Sequence, residues 1–360
     1  MHQEQGQSKV ASVPRPRVLL IGSYSVGLTG MRGVGQDLAI ALKTAGWSVH
    51  LASSYRGRVA RLLDFLLTVW RHRNRYDVAH VDVYSGPAFV WAELVCWALR
   101  RAKKPYMLTL RGGNLPAFAQ RTGKRVPRLL QSTSIVTTPS AYLLEQMRPY
   151  RQELVLLPNP LDLSKYSFKH REHPAPKLVW LRSFHEMYNP SLAVQVVVRI
   201  AQDFPDVRLI MMGPDRGDGS FQATKKLAVK LGVADRLTFR GPVTKDEIPH
   251  LLHEGDIFLN TPRVDNTPVT VLEAMASGLC IVSTSVGGIP YLLEDECDAL
   301  LVPAGEDAVM AKAIRRFLTE DGLAERLTKN ARRKVEQFDW PIILPKWERL
   351  LTDIAERNTA

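Results

Sequence analysis

Long hydrophobic runs are missing from this sequence. Its longest apolar stretches, "LLDFLLTVW" and "AFVWAELVCWAL", are broken by an aspartate and a glutamate. Neither approaches the roughly 20 residues a helix needs to cross a bilayer. The opening "MHQEQGQSKVASVPRPR" has no apolar signal-peptide core, so residues 1–16 read as a disordered leader. Cysteine is scarce: Cys96, Cys280 and Cys297 cannot all pair and show no metal-ligand spacing, which favours a reducing, cytoplasmic setting. No two aspartates are separated by a single residue, and no His, Cys, Asp and Glu cluster has ligand spacing. Neither a metal nor another cofactor is therefore expected. Low-complexity tracts, short repeats and nucleic-acid-binding motifs are also missing, so nucleic acid is not an expected partner.

What is present is a lopsided charge. Up to His170 there are 24 Lys+Arg against 9 Asp+Glu, while the remainder has 24 against 27. The whole excess of the +12 net charge lies in the first half. Much of it falls in "YRGRVARLLDFLLTVWRHRNRY", "LRRAKK" and "RTGKRVPRLL", where arginines border apolar helical stretches. Such a face either meets an anionic lipid surface or anionic substrate, or is simply solvated.

A chain of 360 residues, 45% of them hydrophobic, exceeds the usual size of one core and predicts two domains. Short β-branched runs alternate with helical patterns throughout: "RVLLIG", "SVHLAS", "DVAHVDV", "PYMLTL", "SIVTTP" and "ELVLLP", then "KLVWL", "VRLIMMG", "RLTFRG", "DIFLN", "LCIVST" and "ALLVP". The pattern predicts two doubly wound, parallel-sheet α/β domains of about six strands each, over residues 17–170 and 171–339. The polar "SKYSFKHREHPAPK" is the expected linker. A last helix from Trp340 to Glu356 is expected to pack back across the cleft, returning residues 340–360 to the first domain. In such folds ligands sit outside the carboxyl ends of the strands, so function belongs to the loops that follow them.

Three of those loops carry polar chemistry. A glycine-rich segment after the first strand, with Gly30 and Gly33, precedes an amphipathic helix from about Val34 to Ala45 and is able to bring Arg32 to an anion. At the end of the fourth strand, "RGGN" places Arg111, Gly113 and Asn114 to hold a carboxylate, phosphate or sugar hydroxyl. In the second half Arg182 ends the strand "KLVWL", where a guanidinium suits phosphate oxygens. The segment "VDNTPVTVLEAMASG" then sets Asp265 and Glu273 around a helix expected from Pro268 to Ser277, with Thr267 as N-cap and Gly278 past its end. The first turn of that helix offers amides to a phosphate.

Taken in order, the Gly-rich loop, "LRGGN", "LPNPLDLSKYSF", "WLRSFHEMYNP", "FRGPV" and "DNTPVTVLEAMASGLCIVSTSVGGIP" resemble a family 4 glycosyltransferase of the GT-B fold, over about Val18 to Pro303. The two acids separated by seven residues before Ala-Met-Ala-x-Gly are its most specific part. The resemblance implies retaining transfer of a hexose-type sugar from a UDP- or GDP-sugar to a saccharide or lipid-linked acceptor, in polysaccharide or glycolipid assembly at the inner face of a membrane. It implies that Glu273 receives ribose hydroxyls and that Arg182 binds the diphosphate. Asp265, with Asn266, Thr267, Pro268, Val269 and Thr270, would hold the donor sugar and diphosphate. Arg240 and Gly241 of "FRGPV" would lie along the base, Gly30 and Gly33 near the donor phosphate or acceptor, and Arg32, Arg111, Gly113 and Asn114 on the acceptor side. Three positions depart from the family pattern: Asp265 replaces a glutamate, Met187 stands where a second phosphate cation is usual, and Arg111 replaces a histidine. A nucleotide-sugar hydrolase or epimerase, or a binding subunit without catalysis, are the alternatives.

Overall fold

The computed structural model describes residues 15–22, 33–52, 55 and 57–357. Most of the expected leader, together with Gly30 and Arg32, lies outside them. Twelve strands are found among the described residues: β1 (Val18–Ile21), β2 (Val49–Ala52), β3 (Val78–Val83), β4 (Tyr106–Leu110), β5 (Ile135–Thr138), β6 (Val155–Leu156), β7 (Lys177–Leu181), β8 (Arg208–Met212), β9 (Leu237–Gly241), β10 (Ile257–Asn260), β11 (Cys280–Thr284) and β12 (Leu300–Val302). They form two six-stranded sheets, ordered β2-β1-β3-β4-β5-β6 and β12-β11-β10-β7-β8-β9. Every pairing is parallel, as expected where helical crossovers cover both faces.

Both faces of each sheet are covered by helices, except at the edge strand β6, where Val155 and Leu156 are exposed. On the first sheet, Leu19, Val81 and Leu108 face the helix Pro87–Arg101 through Phe89, Val95 and Leu99. On its other side, Val18, Leu20, Val78 and Met107 meet the helix Val34–Thr44. The final helix, Trp340–Glu356, joins that second cluster through Ile343, Trp347, Leu351 and Ile354, so it packs on the first sheet as expected. Its Glu348 Oε1 accepts from Trp47 Nε1 at 2.7 Å. The crossings between sheets run together here, because Leu161 bridges to Asp339, whose carboxylate accepts from the Leu163 amide at 3.2 Å.

The polar segment between the sheets is fastened rather than loose. Arg171 is only 3% exposed. Its guanidinium bonds Asp256 Oδ1 (3.0 Å) and the carbonyls of Gly255 (2.9 Å), Ser277 (2.9 Å) and Gly278 (2.6 Å). Asp256 also takes Lys169 Nζ at 3.0 Å. A buried charge persists only when paired and hydrogen-bonded in this way. Among the described residues no helix is long and apolar enough to cross a membrane.

Candidate active site

The segment joining β10 to β11 supplies the two acids. Its helix runs Val269–Ala276, inside the ends read from the sequence. Pro268 is the N-cap, with extended backbone (φ −69°, ψ 121°), rather than the first helical residue. Thr267 does not cap: its hydroxyl donates to the Pro139 carbonyl (3.5 Å) and its own carbonyl accepts from Asn159 Nδ2 (3.2 Å). Helical bonding therefore starts at the Pro268 carbonyl, which accepts from the Val271 amide at 3.1 Å. By position, the Val269 and Thr270 amides have no partner within the helix. Gly278 ends it at φ +72°, where a Cβ would also stand 2.6 Å from the Lys169 carbonyl oxygen.

Every residue from Thr270 to Ala276 is buried, and Glu273 is 2% exposed. Its Oε1 accepts from the Tyr166 hydroxyl at 3.1 Å, while Oε2 has no hydrogen-bond partner among the described residues. Burial pushes this carboxyl up to about 7, against the opposing pull of Lys245, the Tyr166 hydrogen bond and Arg182. Lys245, in the loop after β9, forms an ion pair with Asp37 of the helix Val34–Thr44. The two sheets thus meet beside Glu273.

Arg182 leaves the end of β7 with its amide on the Met212 carbonyl (3.0 Å). Its side chain, 12% exposed, forms an ion pair with Asp265 and lies over the Tyr188 ring, Cζ 4.3 Å from the centroid. Burial pulls the guanidinium below its ordinary value, offset by Tyr188 and Glu273. Nε and Nη2 of Arg182, Oδ2 of Asp265 and Thr270 Oγ1 are buried without an aligned hydrogen-bond partner among the described residues. Met187 is 41% exposed in the single 3₁₀ turn Glu186–Tyr188, so the cation-poor position is a surface one and Tyr188 takes the inner side.

The loop that carries Asp265 is clamped from both sheets. From the second, Gly288 donates its amide to the Asp265 carbonyl at 3.0 Å. A Cβ at Gly287 or Gly288 would overlap the carbonyl oxygen of Asp265 or Asn266, so only glycine fits there. From the first, Gly113 lies so close that a Cβ would sit 3.2 Å from the Asp265 carbonyl carbon, and Ser140 donates to the Asn266 side chain.

Arg111 is tied into this clamp. Its side chain is 8% exposed, with Nε on Asp82 Oδ1 (2.8 Å) and Nη1 on Asn159 Oδ1 (2.6 Å). Asn159 Nδ2 in turn donates to the Thr267 carbonyl, so a chain of hydrogen bonds runs from the first sheet to the loop that carries Asp265. The structure brings together Arg182, Asp265, Asn266, Thr267, Pro268, Val269, Thr270, Glu273 and Gly113. Asn114 is exposed at the start of the helix Leu115–Thr122. Gly33 is the N-cap of the helix Val34–Thr44. Gly241 ends β9 at φ +68°, and Arg240 turns out to Glu254 (2.7 Å). Sequence reading missed Tyr166, Tyr188, Lys245, Asn159 and Ser140. Only the paired glycines of "SVGGIP" carried a signal, since adjacent glycines next to a polar loop mark close backbone approach.

Residues 164–334 match the family model described as glycosyl transferases group 1. The chain is 24% identical over 315 residues to the phosphatidyl-myo-inositol mannosyltransferase of Mycobacterium leprae, covering 84% of this chain and 81% of that protein. It is 33% identical over 135 residues to the D-inositol 3-phosphate glycosyltransferase of Mycobacteroides abscessus, covering 37% of this chain. That alignment spans 30% of that relative, and those with two further relatives of the same description span 34% and 35%. Among solved structures, sucrose-phosphate synthase from Thermosynechococcus elongatus superposes with a TM-score of 0.79 at 18% identity over 94% of this chain and 99% of that one. HepE of Anabaena, solved with UDP and glucose, gives 0.74 at 15% identity over 94% of this chain and 100% of that one.

Proposed function

We propose, from the match of residues 164–334 to the glycosyl transferases group 1 model and the likeness of the fold to that of sucrose-phosphate synthase and HepE, that the protein moves a hexose-type sugar from a UDP- or GDP-sugar to an acceptor hydroxyl, with retention at the anomeric carbon. The observation that carries this reading is a set of buried polar atoms gathered about the start of one helix, in which Arg182 Nε and Glu273 Oε2 lack hydrogen-bond partners among the described residues and Arg182 Nη2 is ion-paired with Asp265 Oδ2. Buried groups of this kind cost stability unless something binds them.

A nucleoside diphosphate satisfies the two open atoms. The diphosphate lies between the Arg182 fork and the Val269 and Thr270 amides, whose helix end carries about half a unit of positive charge. Ribose hydroxyls donate to Glu273 Oε2. Asp265 holds Arg182 in register and receives a hydroxyl of the donor sugar. When the bond between the anomeric carbon and the phosphate oxygen breaks, the electron pair stays on the diphosphate, where Arg182 and the amides stabilise it. The leaving diphosphate takes the acceptor proton, since no side chain in the cluster is placed as a dedicated base. Because this charge is met by protein groups, the reaction needs no divalent metal. Transfer surviving a chelator supports that part, and loss restored by magnesium or manganese overturns it.

The acceptor belongs to the first sheet, and its setting is the inner face of a membrane, in polysaccharide or glycolipid assembly. Supporting this, the helix Arg58–Arg71 exposes Val59, Leu63, Leu67 and Trp70, and the helix Pro87–Arg101 exposes Val90, Leu94 and Trp97. Arg71, Arg100 and Arg101 border these rows and are exposed. An apolar face rimmed by arginine suits an anionic lipid surface.

The test is turnover by the purified protein across UDP- and GDP-sugars, with and without a hydroxyl acceptor, and the product anomer read by NMR. Nucleotide release that requires the acceptor and keeps the donor's anomeric configuration is expected. Release to water alone makes the protein a hydrolase, and binding without release makes it a partner subunit.

A further inference from the structure

We propose that Tyr188 is a positioning residue for the leaving diphosphate: its ring fixes the plane of the Arg182 guanidinium, so that one preset fork meets the phosphate. This rests on the donor reading above and deepens it. The need follows from the charges around the loop. Arg182 shares its charge with Asp265, and Glu273 sets a second acid nearby. Lys245 and Arg111 are committed to Asp37 and Asp82. With no large surplus of positive charge, the direction in which the Arg182 N–H groups point decides how well they serve an anion.

Two contacts set that direction. Asp265 takes one edge of the guanidinium, and the Tyr188 ring covers its face, with Cζ 4.3 Å from the ring centroid. An edge partner and a face partner together hold a planar cation in both tilt and rotation, and Nε is left without a hydrogen-bond partner among the described residues. The attraction of the ring for the cation adds to the hold, which an aliphatic side chain of similar size would lack.

Tyr188 is itself held from beneath. Trp180 of β7, fully buried two residues before Arg182, donates its Nε1 proton to Thr261 Oγ1 at 2.9 Å. Thr261, just after the neighbouring strand β10, donates in turn to the Tyr188 carbonyl at 2.7 Å. The Arg263 amide adds a bond to the Met187 carbonyl at 2.8 Å. The chain leaves the turn Glu186–Tyr188 through Asn189 at φ 45°, a left-handed backbone that asparagine tolerates. These bonds tie the turn to the segment that carries Asp265. The face partner and the edge partner of Arg182 therefore belong to one braced unit.

Binding of UDP and of GDP to the full chain tests this, read by calorimetry and, where binding is weak, by saturation-transfer NMR. Tyr188→Leu should weaken the nucleotide about fivefold, the equivalent of about 1 kcal/mol. Tyr188→Phe keeps the ring and should stay within about twofold of wild type. In an Arg182→Ala background Tyr188→Leu should change affinity by less than about twofold, because a residue that acts through the guanidinium has nothing left to orient. Thr261→Val removes the bond to the Tyr188 carbonyl and should weaken binding about threefold, a loss that should vanish in Tyr188→Leu. Tyr188→Met repeats the measurement with an unbranched chain, so the outcome does not hang on the folding of one variant. Nucleotide binding that is unchanged in Tyr188→Leu and Tyr188→Met, equally weak in Tyr188→Phe, or reduced by the same factor with and without Arg182 overturns the proposal alone. No binding of either nucleotide to the wild type overturns the donor reading, and the proposal with it.

Discussion

Glu273→Gln should make the ligand-free protein more stable at pH 8 and should remove a pH dependence of nucleotide binding. The carboxyl is 2% exposed, and burial moves it from an ordinary 4.5 to about 7. A native state that holds its proton more tightly than the unfolded chain is favoured at low pH. The penalty is therefore absent below about 4.5, grows as pH rises, and is complete above about 7. Its size is on the order of 3 kcal/mol. Replacing the carboxyl by an amide removes the penalty and returns about 1 kcal/mol through a weaker bond from Tyr166, so roughly 2 kcal/mol of added stability at pH 8 is expected, fading toward pH 5. Urea midpoints of wild type and variant at both values read this difference. Ribose hydroxyls need the ionised acid, so wild-type UDP affinity should improve from pH 6 to pH 8, and the Glu273→Gln profile should be flat and weaker by roughly 1–3 kcal/mol. A midpoint difference that is the same at pH 5 and pH 8, with parallel affinity profiles, would refute the reasoning.

Arg182→Ala should lower kcat/KM by about 10²-fold or more, as for one lost preorganised transition-state donor. Arg182→Lys should recover only part, because an ammonium lacks the planar fork; a loss below about fivefold in the alanine variant would move the phosphate anchor elsewhere. Asn159→Ala should weaken UDP binding roughly tenfold, about 1.4 kcal/mol, by freeing the Thr267 carbonyl and one arm of Arg111. Unchanged calorimetric affinity would show that the second sheet alone sets the loop. Gly287→Ala should cost more than about 2 kcal/mol, because its Cβ would overlap the Asp265 carbonyl at φ +53°. A wild-type melting temperature would contradict that. Vesicles with anionic lipid should bind the protein at low salt and release it near 0.5 M, where screening shortens to roughly 4 Å, and equal binding to neutral vesicles would sink the basic-face argument.

The strands were legible because parallel strands buried on both faces read as short β-branched runs, and every such run named from the sequence is a strand of the two sheets. Helix ends were read less well. Thr267 looks like a cap, but its oxygens are spent on Pro139 and Asn159, which are 128 and 108 residues away. Local rules cannot see such partners. The same holds for Arg111: its place at a strand end was legible, whereas its commitment to Asp82 and Asn159 is a product of the fold. Glu273 was legible as an acid on the helix after Pro268, whereas its burial to 2% exposure is a product of the packing around that helix. Tyr188 gave no signal, because stacking on Arg182 depends on the turn Glu186–Tyr188 bending the chain back under the strand end.

The structure of the protein with UDP bound is the most direct test of the central claim. The diphosphate should lie between the Arg182 guanidinium and the Val269 and Thr270 amides, with the ribose hydroxyls on Glu273 Oε2. A nucleotide seated elsewhere, or one that leaves the Arg182–Asp265 pair and Glu273 Oε2 untouched, would contradict it.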